Sequence, residues 1–292
     1  MTDTARTVVI TGASSGFGAA AVRAFADRGD RVWGTMRDAD GRNAVKKAEL
    51  EAYSPRIAIA GMDVTSDASV TDGFARILAE GPVDILINNA GIMYIGMTEA
   101  YSVAQAAEQM DTNYFGAIRA MQAVLPSMRA AGSGLIVNTS SIAGRVSVPF
   151  FGTYCATKHA LEAYSQSLRY EVAPFGVDIA LVEPGPFPSN LLAAGKPPAR
   201  SEVLDAYGEL KNVPTAMVSG FADMLASDQA PDPQLVVDAY LGLADAAPGK
   251  RPTRTVVGIT WGVDEVNAFT QPRQDALLKE MQLDGVLGGA DA

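Results

Sequence analysis

Arg6-Thr7-Val8-Val9-Ile10-Thr11-Gly12-Ala13-Ser14-Ser15-Gly16-Phe17-Gly18-Ala19-Ala20-Ala21 decides the fold. The β-branched run over 6–10 reads as a strand, and the Ala-rich stretch over 19–28 reads as a helix. Three glycines, Gly12, Gly16 and Gly18, fill the turn between them in the pattern G-x-x-x-G-x-G. Glycine lets backbone approach a pyrophosphate. A helix N-terminus offers unsatisfied N–H groups and a partial positive charge. Ser14 and Ser15 add hydroxyl donors. The same spacing also suits a tight turn that binds nothing.

Outward from this unit, strands are expected over 30–36, 56–62, 83–88, 135–139, 178–182 and 253–257. Helical spacing covers 67–80 and 154–172, and one long helix is expected over 104–128, interrupted only by Gly116. Strands alternating with helices predict an α/β fold, a Rossmann-like doubly wound parallel sheet of about seven strands in a single domain over 1–292. The segment 186–233 departs from this alternation. It carries Pro197-Pro198 and apolar patches at Leu191, Leu192, Phe221, Met224 and Leu225. A long segment after the sixth strand is expected to form a helical substrate lid, because open α/β sheets bind ligands beyond the carboxyl ends of their strands. Helical decoration of the core is the plainer alternative.

Composition excludes several classes. The 292 residues are 48% hydrophobic and 19% charged, with 28 Gly and 16 Pro, as expected of a folded soluble chain. A net charge of −10, with 23 basic against 33 acidic residues and no basic cluster, predicts no nucleic-acid partner and no membrane-surface partner. One cysteine, Cys155, and one histidine, His159, leave no internal disulfide and no Cys- or His-rich metal site. No apolar run reaches the roughly 18 residues of a membrane span, and the N-terminus lacks a signal-peptide core, so a cytoplasmic location is expected.

Two places carry candidate chemistry. Arg37 ends the second strand, where an acidic residue would bind a ribose 2′-hydroxyl and an arginine suits a 2′-phosphate. This favours NADP(H) over NAD(H), although Asp38 follows at once and either points away or pairs with Arg37. Further on, Tyr154 and Lys158 are four residues apart on one helical face. A phenol with pKa of about 10 is a poor base at neutral pH, and a neighbouring ammonium lowers that value. Tyr154 can then serve as acid or base for an alcohol or carbonyl oxygen. Ser141, just beyond the fifth strand, can meet the same oxygen. Asn113 on the long helix can anchor a water that connects Lys158 to solvent, or simply satisfy helix backbone.

Thr11-Gly12-x-x-x-Gly16-x-Gly18, Asp63, Asn88-Asn89-Ala90-Gly91, Asn113, Ser141, Tyr154-x-x-x-Lys158 and Pro184-Gly185 occur in that order. With these elements the chain resembles a short-chain dehydrogenase/reductase. Val32 to Arg37, and Pro149-Phe150 ahead of Tyr154, resemble the branch containing 17β-hydroxysteroid and retinol dehydrogenases. The resemblance implies an NADP(H)-dependent oxidoreductase that interconverts a secondary alcohol and a carbonyl. Tyr154 would be the acid/base and Ser141 would hold the substrate oxygen. Lys158 would lower the tyrosine pKa and bind the nicotinamide ribose, and Asn113 would complete a proton relay through water. Asp63 and Val64 would hold the adenine, Asn89, Ala90 and Gly91 the adenosine ribose region, and Pro184, Gly185 and Phe187 the nicotinamide. Ser189 stands where many members have a carboxamide-binding Thr. Family members also pair through two long helices, here 104–128 and 154–172, which implies a homodimer or homotetramer. The implied partner is a small carbonyl or alcohol substrate.

Cys155, His159 and Trp33 are expected to pack, and Met93, Tyr94, Met97, Phe150 and Phe151 to divide between core and an apolar substrate pocket. Trp261 has no assignment. Other functions fit part of the pattern. An NAD-dependent alcohol dehydrogenase shares all of it except Arg37. A nucleotide-sugar epimerase or dehydratase shares the Tyr-Lys pair but would need a larger portion beyond residue 190. A non-catalytic dinucleotide sensor would have no use for Tyr154.

Overall fold

The computed structural model describes residues 5–189, 191 and 195–283. Seven strands form one sheet: β1 (Thr7–Thr11), β2 (Arg31–Met36), β3 (Ile57–Gly61), β4 (Ile85–Asn88), β5 (Gly134–Thr139), β6 (Val177–Pro184) and β7 (Arg254–Val257). Their spatial order is β3-β2-β1-β4-β5-β6-β7, and every pair is parallel. Strand order reverses between β1 and β4, where Val8 lies opposite both Val32 and Ile85. That reversal opens a crevice at the carboxyl ends of the two strands.

Successive strand side chains alternate between faces, so the sheet sorts its apolar residues into two cores. Val8 and Ile10 pack with Phe25 of helix α1 (Gly16–Asp27) and Leu50 of α2 (Ala44–Tyr53). Tyr240 of α9 (Gln234–Asp245) completes that side. Val9 packs on the other face with Phe74 of α3 (Asp67–Ala79), Met121 of α5 (Gly116–Ala131) and Leu161 of α6 (Gly152–Val172). Trp33 joins that second core, as expected. Each fully buried side chain of this size contributes about 1.5–3 kcal/mol of transfer free energy. Helices α2, α9 and α10 (Val263–Glu280) were not expected from the sequence. α2 and α10 bury one residue each, Leu50 and Val263, so no apolar stripe announced them.

The helix expected over 104–128 is two helices. α4 (Val103–Met110) begins with a capping box between Ser102 and Gln105. A π-turn over Asp111–Phe115 then separates it from α5. The wider turn carries Asn113, whose side chain holds the Ile92 backbone on one side and Thr157 of α6 on the other. Such bulges are frequent at functional sites.

Beyond β6 the chain forms α7 (Ser201–Ala206), a 3₁₀ turn and α8 (Val213–Leu225). Its base is pinned to residues 100–108. Gln105 donates to the Pro197 carbonyl at 2.8 Å, Tyr101 to the Lys196 carbonyl at 3.0 Å, and the Arg200 N–H to Ala100 O at 3.0 Å. Leu192, counted among the apolar patches of this segment, lies outside the described residues.

Candidate active site

The crevice is one cavity of about 470 Å³ that runs along the carboxyl ends of the strands. Its floor is the turn after β1. Gly12 has φ +70°, and a side chain there would come within 2.8 Å of the Ala90 backbone. Gly16 has φ +55° and open space where a side chain would stand. Ser15 occupies the N-cap of α1 without capping it through its hydroxyl, which leaves first-turn N–H groups for a ligand. Ser14, Ser15, Gly16 and Phe17 all line the cavity. Gly18 does not. A side chain at Gly18 would meet Gly12 O at 2.4 Å and Asn89 Nδ2 at 2.5 Å. The third glycine therefore permits packing of helix on turn.

Asn89 braces this turn from β4. Its Nδ2 donates to the carbonyls of Thr11 at 3.0 Å and Gly12 at 3.2 Å. Thr11 Oγ1 in turn accepts the N–H groups of Asn89 and Ala90. Asn89, Ala90 and Gly91 line the cavity, as do Asp63 and Val64 after β3. The Asp63 carboxylate also accepts the backbone and hydroxyl of Thr65.

At the β2 end the Asp38 alternative resolves. Asp38 adopts φ +48° and its carboxylate accepts the Arg42 N–H at 3.0 Å. The Asn43 side chain closes the same turn on the Arg37 carbonyl. Asp38 is thus spent within its own loop. Arg37 and Arg42 both line the cavity, and neither guanidinium has a carboxylate partner among the described residues. Glu108, which feels the Arg37 charge, is itself paired with Lys196.

Tyr154, Ser141 and Lys158 converge on the other half of the cavity. Ser141 sits just past β5, where its hydroxyl donates to the Pro184 carbonyl at 3.3 Å and accepts the Ala143 N–H at 3.1 Å. Lys158 Nζ donates to the Thr139 carbonyl at 2.8 Å and lies 5.7 Å from the centre of the Tyr154 ring. Burial pushes the Tyr154 phenol up to about 12, with the Ser141 hydroxyl pulling the other way. The sequence expectation was a pKa lowered by the ammonium. Desolvation outweighs it here, because both groups are buried and the ammonium is directed at a carbonyl. Burial also drives Lys158 down to about 8, and the Glu162 charge resists that shift. Glu162, one turn further along α6, is paired with Arg254 at 2.8 Å. Asn113 stands behind the cavity lining, with its hydrogen bonds made to Ile92 and Thr157.

Pro184, Gly185, Phe187 and Ser189 line the wall beside these groups, and Phe187 packs edge-on against Phe17 at 5.5 Å. Beyond them the cavity is apolar. Met93, Ala143, Phe151, Tyr154 and Cys155 form a small core, against which Leu191, Met217 and Phe221 pack. Cys155 is therefore a packing residue. His159 is exposed and its Nδ1 meets the Cys155 carbonyl. Tyr94 is buried, stacked on Tyr101 outside the pocket.

Sequence reasoning missed Arg42, the Thr139 carbonyl that seats Lys158, and Trp261. Arg42 reaches the cavity through an irregular turn that no periodicity reports. Trp261 comes from the loop after β7, far along the chain from every other lining residue. Among the described residues, no helix is long and apolar enough to cross a membrane, and no group of three or more His, Cys, Asp or Glu could hold a metal.

A short chain dehydrogenase family model matches residues 6–198. Retinol dehydrogenase 8 of Bos taurus is 41% identical over 189 residues, which are 64% of this chain and 60% of that protein. The aligned stretch spans 60% to 65% of the first curated relatives that match. A solved short-chain dehydrogenase from Streptomyces avermitilis is 33% identical with a TM-score of 0.73, covering 99% of this chain and 100% of that one. A short-chain dehydrogenase from Sphingobium yanoikuyae, solved in complex with NADPH, is 25% identical with a TM-score of 0.71, covering 92% and 95%.

Proposed function

The chain belongs to the short-chain dehydrogenase/reductase family, and on that premise we propose that it is an NADP(H)-dependent oxidoreductase. It interconverts an alcohol and the corresponding ketone or aldehyde, a secondary alcohol with a ketone above all, on an apolar substrate. One observation carries this proposal. A single cavity joins two guanidiniums with no carboxylate partner among the described residues, a glycine turn at a helix N-terminus, and the Ser141, Tyr154 and Lys158 cluster.

A dinucleotide fits these residues. The Gly12 side-chain position is closed by Ala90 while Gly16 faces open space, so backbone alone borders that stretch of cavity. Arg37 and Arg42 would hold the 2′-phosphate, the α1 N-terminus with Ser14 and Ser15 the pyrophosphate, and Asp63 and Val64 the adenine. Asn89, Ala90 and Gly91 would border the adenosine ribose, and Pro184, Gly185, Phe187 and Ser189 the nicotinamide end. The bound cofactor supplies or accepts the hydride.

The chain's own part is orientation and a proton. Tyr154 keeps its proton at neutral pH and can give it from Oη to a carbonyl oxygen during reduction. The Ser141 hydroxyl hydrogen-bonds the same oxygen. Lys158, seated on Thr139 O, would hold the nicotinamide ribose hydroxyls. Asn113 positions the Ile92 loop and α6, which holds Tyr154 in register. The segment 186–233 acts as the substrate lid of a single domain. The active form is a homodimer or homotetramer paired through α4 and α5 (104–128) and α6 (154–172), which light scattering at micromolar concentration tests.

Paired fluorescence titrations with NADPH and NADH test the cofactor reading. NADPH binding at least tenfold tighter, about 1.4 kcal/mol, is expected. Equal or tighter NADH binding would overturn it.

A further inference from the structure

Trp261 lies outside the span of the family match, which ends at residue 198, and resemblance assigns it nothing. It is 54% exposed, yet it lines the cavity. Its backbone has φ +46°, a left-handed conformation that is an outlier for a bulky side chain. Strain of this kind persists where surrounding structure imposes it. The loop between β7 and α10 packs closely on the wall of the cavity, where the Gly185 N–H donates to the Val257 carbonyl at 2.9 Å and two glycines permit close approach. A side chain at Gly185 would meet Ile259 O at 2.1 Å, and one at Gly258 would meet the Phe187 ring at 2.6 Å. The loop thus lies directly against Gly185 and Phe187.

From that fixed loop the indole meets Phe221 of α8 at 6.1 Å between ring centres, tilted by 36°. Phe221 in turn meets Phe151 edge-on at 6.5 Å. Three rings from three separate segments thus run from beside Tyr154 to the solvent. All three line the cavity together with Val148 and Leu191. Charge is placed elsewhere. Arg37, Arg42 and Asp63 follow β2 and β3, across the sheet from β5, β6 and β7. Lys158 is turned to Thr139 O. Among the described residues, an anionic substrate would find no charged partner along the ring-lined half, and a small aliphatic one would leave the outer rings untouched.

We propose that Phe221 and Trp261 form an aromatic clamp that selects flat, uncharged carbonyl compounds bearing fused rings, with Trp261 covering the ring distal to the reacting carbonyl. The clamp rests on the oxidoreductase reading above and names its substrate class. Rings stacked offset or edge-on gain more than their buried area alone gives, which is the source of the selectivity.

The test compares 2-acetylnaphthalene with 2-butanone as substrates, with NADPH, in wild type, Trp261→Ala and Trp261→Phe. In Trp261→Ala the ratio of kcat/KM for the two ketones is expected to fall at least tenfold, with the loss for 2-acetylnaphthalene in KM. Trp261→Phe is expected to recover most of the ratio. Equal losses for both ketones, or an unchanged ratio, would overturn the clamp. If wild type reduces neither ketone, the oxidoreductase reading fails on its own, and equilibrium dialysis of 2-acetylnaphthalene decides the clamp. Binding at least tenfold weaker in Trp261→Ala supports it, and equal or undetectable binding in both proteins overturns it.

Discussion

Lys158 Nζ lies 5.7 Å from the centre of the Tyr154 ring, yet its hydrogen bond goes to the Thr139 carbonyl at 2.8 Å. The two groups are four residues apart on α6 and are both buried. Burial moves them in opposite directions, the phenol up and the ammonium down. Each shift favours the neutral form. At neutral pH the tyrosine therefore holds its proton, ready for a carbonyl oxygen, and the lysine keeps its charge only below about pH 8.

Removing the Tyr154 hydroxyl should stop turnover without emptying the cofactor site. Tyr154→Phe is expected to lose at least about a thousandfold in kcat, within the scale of general acid–base contributions, while NADPH affinity stays within about threefold. Steady-state assays and fluorescence titration check the pair. With the phenol near 12, alcohol oxidation in wild type should rise with pH between 7 and 9, because the base form grows with pH. A flat or falling oxidation profile would contradict that assignment.

Lys158 should weaken the fold at neutral pH. Its folded pKa, about 8, lies below its unfolded value, so the unfolded chain binds more protons between pH 8 and 10.5. Stability from this group thus rises through that window and is lowest below it. Lys158→Met, which removes the charge, is expected to raise the melting temperature at pH 7. The gain should shrink towards pH 10, and activity should be lost. On the scale of 1.36 kcal/mol for each pKa unit, the neutral-pH gain is on the order of a few kcal/mol. Thermal unfolding at the two pH values reads it.

Arg37 and Arg42 should discriminate between dinucleotides that differ by one phosphate. Arg37→Ala and Arg42→Ala are each expected to weaken NADPH about tenfold, near 1.4 kcal/mol, and to leave NADH within about twofold. Added salt should weaken NADPH more than NADH, because exposed charges are screened. Identical effects on both nucleotides would remove the two arginines from the phosphate.

Gly18 should matter to stability more than to cofactor contact. Its added methyl would sit 2.4 Å from Gly12 O, so Gly18→Ala forces helix and turn apart. Overpacking of this kind costs roughly 1–3 kcal/mol. A lower midpoint in urea is expected, with any loss of NADPH affinity following from displacement of the turn. An unchanged midpoint would mean that the turn yields freely.

Much of this protein was legible in its sequence because the deciding signals are local. β-branched runs, glycines in one turn and a Tyr and Lys at helical spacing report backbone geometry within a few residues of themselves. That determined the parallel α/β sheet, the glycine turn after β1 and the Ser141, Tyr154 and Lys158 cluster. Where local signals were weak, tertiary contacts decided. Helices α2 and α10 bury one residue each and so carry no stripe. The π-turn carries Asn113, which bonds Ile92 and Thr157, and neither lies near it in the chain. Whether Asp38 competes with Arg37 depended on a turn closed by Arg42 and Asn43. The pKa of Tyr154 followed burial, a property of the whole fold that residue spacing does not report. Trp261 joined the cavity only because β7 lies beside β6, which brings its loop onto Gly185 and Phe187.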